Sequence, residues 1–417
     1  MPDPARPRVW VTGIGAVSPL GPCFETTARA LVAEKTGFRP IDFFDVSAQR
    51  VQTGGVAALN DQLPVGHQLT TRETDALDRG TRILIQSTAE AISNAAAEGG
   101  ALGDVPIVIG TSAGAMSLGE DYFRHAQAGT QRRGQFSRVE RYQTQRQVST
   151  LGRALGLRGA STVISNACAS GANALGHARN LIASGRHQRV LAGGFDALCQ
   201  LVFAGFDSLQ ALAPSGIPRP FDAERDGLAL GEGGAMFVLE TEAAARERGA
   251  TPIVELAGYG MSLDVHHLTQ PHPEGCAAVS SMTAACTDAG VTPDQIAYLN
   301  SHGTGTPLND VAEANAITEW AGEAASGIPV SSTKSATGHL LGGAGALEAA
   351  ICVMAMKGGW LPASLGVRTP DPAIRFDLVT QVREASIPVA LTNSFGFGGS
   401  NASLVFKTIN QKTCETE

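Results

Sequence analysis

One cysteine, Cys168, stands in the run VISNACASGANALGH (residues 163–177) among neighbours so small that a bulky electrophile could reach its sulfur. The run reads as a strand, TVIS (162–165), giving way to a helix. A sulfur at a helix start faces unpaired backbone N–H groups and the positive end of the helix dipole, which lowers a thiol pKa. Alone, Cys168 fits an ordinary small core residue equally well. Two histidines tip the reading. His302 lies in NSHGTGTPLND and His339 in SSTKSATGHLLGGAGALE, each where an apolar strand yields to small and hydroxyl residues. Folds of the α/β class place their sites at such junctions. With Lys334, close before His339, the two imidazoles form a cationic, donor-rich cluster suited to an oxyanion.

The elements that must position these residues are legible in outline. VWVTGIGAVSPLG (9–21) reads as a β-branched strand breaking into a glycine turn. Gly13 and Gly15 are followed by Ser18 where a dinucleotide fingerprint needs its third glycine, so a tight turn is preferred. Residues 75–98 carry helical spacing. VPIVIGTSAG (105–114), RVLAGGFDAL (189–198), AMFVLE (235–240), AYLNSHGTG (297–305), PVSSTKS (329–335) and VALTNSFGFGG (389–399) repeat one pattern, an apolar strand entering a small-residue loop. GHLLGGAGALEAAICVMAM (338–356) reads as a helix dense in alanine and glycine, hence closely packed. Strands alternating with helices predict an α/β fold with largely parallel sheets. A break near residue 250, after EAAARERGA, divides the 417 residues into 1–250 and 251–417.

Composition removes several function classes. Hydrophobic residues make up 43% and charged residues 17%, which fits a folded chain and not a disordered one. A net charge of −8 without a basic surface interleaved with aromatics argues against nucleic acid. The seven cysteines, Cys414 among them, show neither a C-x-x-C pair nor regular spacing, against a disulfide framework and against zinc. The histidine-rich loop DVHHLTQPHP has no carboxylate or cysteine partner at useful spacing, so no metal is assigned. MPDPARPRVW is too short and polar for a signal peptide, and no apolar run approaches about 18 residues. The chain reads as soluble, reduced and cytoplasmic, without a membrane partner.

Taken together, five motifs carry a resemblance across nearly the whole chain: NACASG, RPFDAERDGLALGEGG, HGTGTPLND, SSTKSATGHLLGGAGALEA and SFGFGGSN. The sequence resembles the β-ketoacyl-acyl-carrier-protein synthases of the I/II type, condensing enzymes with the thiolase fold. The resemblance implies a five-layered αβαβα architecture of two pseudo-duplicated halves, the nucleophile in the first and both histidines and a gating loop in the second. It implies that Cys168 takes the acyl chain as a thioester, and that His302 and His339 hold the malonyl carbonyl while carbon dioxide leaves. The product would be a 3-oxoacyl group on the carrier protein. Backbone N–H groups of Cys168 and Phe397 would form a second oxyanion hole. Lys334 would set the local electrostatics and Glu348 would stand behind it. Phe397 would be a mobile gate between Gly396, Gly398 and Gly399. Thr304, Thr306 and Thr269 match positions that hold the phosphopantetheine arm, which arrives on the acyl carrier protein, so no separate cofactor is implied. Ala113 and Phe206 match the acyl pocket, Ala113 being smaller than the usual residue there.

Rival readings differ in named features. A Cys–His hydrolase has no use for two histidines, a lysine and a glycine-flanked phenylalanine. Thiolases resemble one another in a second cysteine where SFGFGGSN stands here. A non-catalytic scaffold, the chain-length-factor type of subunit, would lack the cysteine. The chain could act as a homodimer, or only in a heterodimer beside such a factor, and in fatty acid, polyketide or polyene synthesis. Carrier proteins are typically acidic. The arginine-rich stretch 132–146 (Arg132, Arg133, Arg138, Arg141, Arg146) with Arg72 or Arg79 is therefore the expected docking surface, unless it is simply a solvated face. Gln210 stands where an arginine often assists docking.

Overall fold

The apolar opening forms a strand, Val9–Val17, that continues through both of its glycines instead of turning at them. The helix Arg79–Asn94 lies so close across it that a β-carbon at Gly13 would sit 2.2 Å from the Ala91 carbonyl oxygen, and one at Gly15 2.0 Å from that of Ser87. Close helix contact, not turn geometry, demands glycine here, which corrects the expected tight turn. The computed structural model describes residues 6–95, 102–132 and 134–409; Arg133 and Cys414 lie outside them.

Among the described residues, an 11-stranded sheet dominates. From its centre one half runs Val9–Val17, Gly233–Thr241, Arg189–Asp196, Ile107–Gly110 and Ser161–Ile164. The other half runs Val254–Leu263, Ser400–Lys407, Val389–Phe395, Tyr298–Asn300 and Pro329–Ser331, with Asp377–Leu378 at its edge. Both halves pair antiparallel near the centre and parallel outside, and they join where Trp10 and Val11 oppose Glu255 and Val254. The sheet is mixed, where mostly parallel pairing was expected. One reason is visible at 396–399: this turn alone connects Val389–Phe395 to Ser400–Lys407, too short for a parallel crossover.

Helices Ser170–Ala183 and Ala344–Gly358 pack between the halves. Arg79–Asn94 and Thr144–Leu155 cover the outer face of the first half, and Cys276–Ala289 and Pro307–Ala321 that of the second. The order is helix, sheet, helix, sheet, helix, as the resemblance implied. The expected long helix starts late, because Leu341 turns left-handed (φ 51°) and Leu341–Gly343 is a 3-10 turn. The stretch Leu341–Gly358 is also long and apolar enough for a membrane span, which the sequence reading did not recognise; 89% of it is buried inside the protein. Its alanine and glycine content lets it serve as a core helix touching both sheet halves.

Candidate active site

Cys168 sits in an elbow between the edge strand Ser161–Ile164 and the helix Ser170–Ala183. The residue before it, Ala167, adopts φ 55°, a conformation that costs a non-glycine residue roughly 1–2 kcal/mol. Hydrogen bonds hold it there: the Ala167 carbonyl accepts from Ser112 Oγ at 2.9 Å and from Ser170 Oγ at 2.6 Å. Ser112 is fixed in turn by Asp196, whose buried carboxylate accepts from Thr111 Oγ1 (2.7 Å) and from the backbone N–H groups of Ser112, Ala113, Gly114 and Gly342.

The helix start does not lower the cysteine pKa as expected. Burial pushes the Cys168 thiol up to about 11, against the pull of the Lys334 charge and the Phe397 backbone N–H. Helix residues begin only at Ser170, so Cys168 precedes the cap, and the residue is buried at 7% exposure.

His302 follows the strand Tyr298–Asn300, and its loop hangs on one carboxylate. Glu313 accepts the backbone N–H of His302 at 2.8 Å and that of Gly303 at 2.7 Å. Burial raises this carboxyl to about 7. Asp310, one turn earlier on the same helix, accepts from the Thr304 and Gly305 backbone at 3.0 and 3.1 Å. His339 is held by its own backbone, its N–H donating to the Ala229 carbonyl at 2.7 Å. The imidazole centroids lie 5.3 Å apart at 85°.

The tautomers follow from what each Nδ1 meets. His339 Nδ1 accepts the Leu341 backbone N–H at 3.0 Å. His302 Nδ1 faces the Lys334 ammonium at 3.4 Å. Both rings therefore carry their proton on Nε2. Burial, and then the Lys334 charge, holds both pKa values well below the usual imidazole range. The pair supplies two neutral N–H donors. Lys334 is ion-paired with Glu348, whose carboxyl burial raises to about 7 against the pull of that lysine.

Phe397 is 39% exposed and its ring stacks on Phe206 at 5.8 Å and 14°. The hairpin turn carrying it is tied to the loop opposite: Gly398 N–H donates to the Leu268 carbonyl at 2.7 Å and Asp264 N–H to the Gly399 carbonyl at 2.8 Å. Gly399 has φ 86°, and a β-carbon there would lie 1.8 Å from the Asp264 carbonyl oxygen. At Gly396 a β-carbon would come 3.3 Å from the Cys168 amide nitrogen, so the turn lies directly against the nucleophile backbone.

A cavity of about 400 Å³ gathers Cys168, His302, His339, Thr304, Thr306, Thr269, Phe206, Phe397, Gly396 and Gly399. Thr304 and Thr306 join hydroxyls at 2.8 Å. Gln210 also lines it. Ala113 does not: it lies in a neighbouring apolar cluster with Phe203 and Leu341, against which Phe206 packs, and its backbone N–H donates to Asp196 at 2.9 Å. Arg79 is not a free docking cation. It pairs with the fully buried Glu232 and covers the Phe43 ring at 4.2 Å. Arg138 pairs with Asp121 and Arg146 with Glu140, whereas Arg72 and Arg132 are exposed.

Sequence reasoning missed Glu313, Asp310 and Asp196. The available signal was a run of Gly, Ser and Thr whose backbone N–H groups, once buried, need acceptors.

The β-ketoacyl synthase N-terminal domain matches residues 6–245, and the C-terminal domain matches residues 253–368. The chain belongs to the β-ketoacyl synthase family, a family of acyltransferases. Among its relatives, 3-oxoacyl-(acyl-carrier-protein) synthase 2 of Synechocystis sp. is 36% identical, covering 96% of this chain and 98% of the relative. The protein of the same name from Vibrio cholerae is 36% identical over 97% and 99%. A solved structure, the ishigamide ketosynthase/chain length factor, superposes with a TM-score of 0.90 at 31% identity, covering 97% of this chain and all (100%) of that one.

Proposed function

We propose that the chain lengthens an acyl thioester by one two-carbon unit, joining an acyl group held on Cys168 to malonyl carried on an acyl carrier protein. Residues 1–250 supply the nucleophile in this reading, and residues 251–417 the histidines and gate. One observation carries it: two buried imidazoles with centroids 5.3 Å apart, each with its Nδ1 facing a donor, share a cavity with a buried cysteine. Such groups are poor bases and good oxyanion donors.

In the first half-reaction the Cys168 sulfur attacks the acyl thioester. The carrier's sulfur leaves and takes the cysteine proton. The tetrahedral oxyanion is held by the Cys168 and Phe397 backbone N–H groups, which the Gly396 contact supports. In the second half-reaction the malonyl carbonyl accepts from His302 and His339. Carbon dioxide departs, leaving its electron pair as an enolate, which attacks the acyl carbon and expels the Cys168 thiolate, and that thiolate takes a proton from solvent. Lys334 keeps His302 in its donating tautomer. Thr304, Thr306 and Thr269 guide the phosphopantetheine arm, so the only prosthetic group needed comes with the carrier protein. The work place is the cytoplasm, where the carrier protein is made.

A second reading is favoured by the ishigamide ketosynthase/chain length factor similarity: the chain is the catalytic partner in a heterodimer with a chain-length-factor-like subunit. Intact-mass spectrometry after exposure to acyl carrier proteins separates the readings. Acylation across saturated chains supports fatty acid synthesis by the chain alone. Acylation by conjugated polyenoyl chains only, or only with an added partner, supports polyene or polyketide synthesis. Cys168→Ala is the control, and acylation surviving in it would end the nucleophile assignment.

A further inference from the structure

The loop facing the gate ends in the segment Pro271-His272-Pro273-Glu274-Gly275-Cys276, and its polar side chains take no part in the condensation chemistry. The sequence reading found no carboxylate or cysteine at useful spacing for the histidines of this loop. The fold supplies both, because a tight turn reverses the chain between them. The Gly275 N–H donates to the His272 carbonyl at 2.8 Å, closing the turn, and Gly275 adopts φ 64°. His272, Glu274 and Cys276 then bring one ligand atom each to within 4.8 Å of one another. Cys276 Sγ lies 3.8 Å from His272 Nδ1 and 3.9 Å from Glu274 Oε2.

These are close to the edges of a metal tetrahedron. Zinc–sulfur and zinc–nitrogen or zinc–oxygen bonds of about 2.3 and 2.0–2.1 Å put ligand atoms roughly 3.6 Å apart. A shift of a few tenths of an ångström closes the difference along the two sulfur edges, and the third pair, His272 and Glu274, has its ligand atoms within 4.8 Å. Among the described residues, the backbone group that competes for His272 Nδ1 is the Glu274 N–H, at a long 3.2 Å.

The frame around the trio is rigid. Prolines flank His272 on both sides and restrict the backbone. The His272 N–H donates to Asp264 Oδ2 at 2.8 Å, and Asn315 Nδ2 donates to the Pro273 carbonyl at 3.1 Å. Cys276 is the first residue of the helix Cys276–Ala289, where free backbone N–H groups favour negative charge on a ligand sulfur. We propose that His272, Glu274 and Cys276 form a zinc site on the rim of the substrate cavity, with a fourth position open to water. Mixed imidazole, thiolate and carboxylate ligands suit zinc above magnesium or calcium. Binding displaces the Cys276 thiol proton to solvent, so affinity rises with pH. The bound ion would fasten the end of the loop that holds the gate turn through Leu268 and Asp264.

The test uses tag-free, chelator-stripped, full-length protein titrated with Zn²⁺ against a chromogenic chelator. The expected result is about one ion per chain at micromolar metal, with one ion fewer for Cys276→Ser and for His272→Ala. Co²⁺ in place of Zn²⁺ should give a thiolate-to-metal charge-transfer band that vanishes in Cys276→Ser and persists in Cys168→Ser. Both Glu274 and Cys276 are exposed, and an unchanged Tm without metal confirms that the variants fold. No ion bound by the wild type, or an unchanged stoichiometry in Cys276→Ser, overturns the assignment.

Discussion

Lys334 Nζ lies 3.4 Å from His302 Nδ1 while ion-paired to Glu348, so one buried charge faces an imidazole and a carboxylate at once. The carboxylate pays the lysine's desolvation, and the lysine in turn dictates where the histidine keeps its proton. Lys334→Met should push the Glu348 carboxyl further up, leave it buried and neutral without its partner, and destabilise the fold by about 1–3 kcal/mol. Lys334→Met with Glu348→Gln should recover most of that Tm loss and still decarboxylate malonyl thioester slowly. A double variant with the wild-type decarboxylation rate would show that His302 needs no help from Lys334.

The Glu313 carboxyl gives a pH signature. Its folded pKa of about 7 exceeds the unfolded value of about 4.3. Its contribution to stability is therefore complete below the unfolded value and is lost as pH rises through about 7. The Tm of the wild type relative to Glu313→Gln should fall between about pH 4.3 and pH 8. Glu348 titrates in both proteins and cancels. A Tm difference independent of pH would contradict the shift.

Gly399→Ala places a methyl group against the Asp264 carbonyl and must move the turn. The Phe397 N–H then leaves its post beside Cys168. Loss of one oxyanion donor should slow acylation of Cys168 by about 10²–10³. Quenched-flow intact mass measures this directly. Phe397→Ala keeps the N–H and should spare the acylation step more than Gly399→Ala does; equal losses in the two variants would mean that the ring, and not the amide, governs acylation.

Charge reversal separates a docking cation from a structural one. Arg72→Glu, on an exposed helix, should raise KM for carrier-bound substrate while leaving that for a free pantetheine thioester unchanged. Arg79→Glu sets a second carboxylate against buried Glu232 and should lower Tm sharply. If Arg72→Glu leaves both KM values alone, carrier docking lies elsewhere.

What the sequence made legible was chemistry concentrated in short runs. Cys168, His302, His339 and Lys334 could be found because each stands where an apolar strand meets small residues, and the cavity gathers the first three. The strands were recognisable for the same reason. Glu313, Asp310 and Asp196 were not, because their partners are backbone N–H groups that converge only after folding. The Cys168 pKa was misjudged since a helix start is visible in a sequence and desolvation is not. Gly13 and Gly15 misled similarly: a turn glycine and a contact glycine look alike until the Arg79–Asn94 helix is in place.

The two sheet halves repeat one strand order, and matching strand ends carry different equipment. Beyond the fourth strand from the centre, the first half has Ser112 and the second His302; beyond the fifth, they have Cys168 and then Lys334. Beyond the third, one ends in Asp196 and the other in the Phe397 turn. The molecule thus repeats one arrangement of strands with different residues at matching ends, the cysteine in one copy and both histidines in the other. In the proposed reaction neither copy carries the whole set, so that chemistry would belong to the seam between them, and severing the chain near residue 250 would divide it along with the polypeptide.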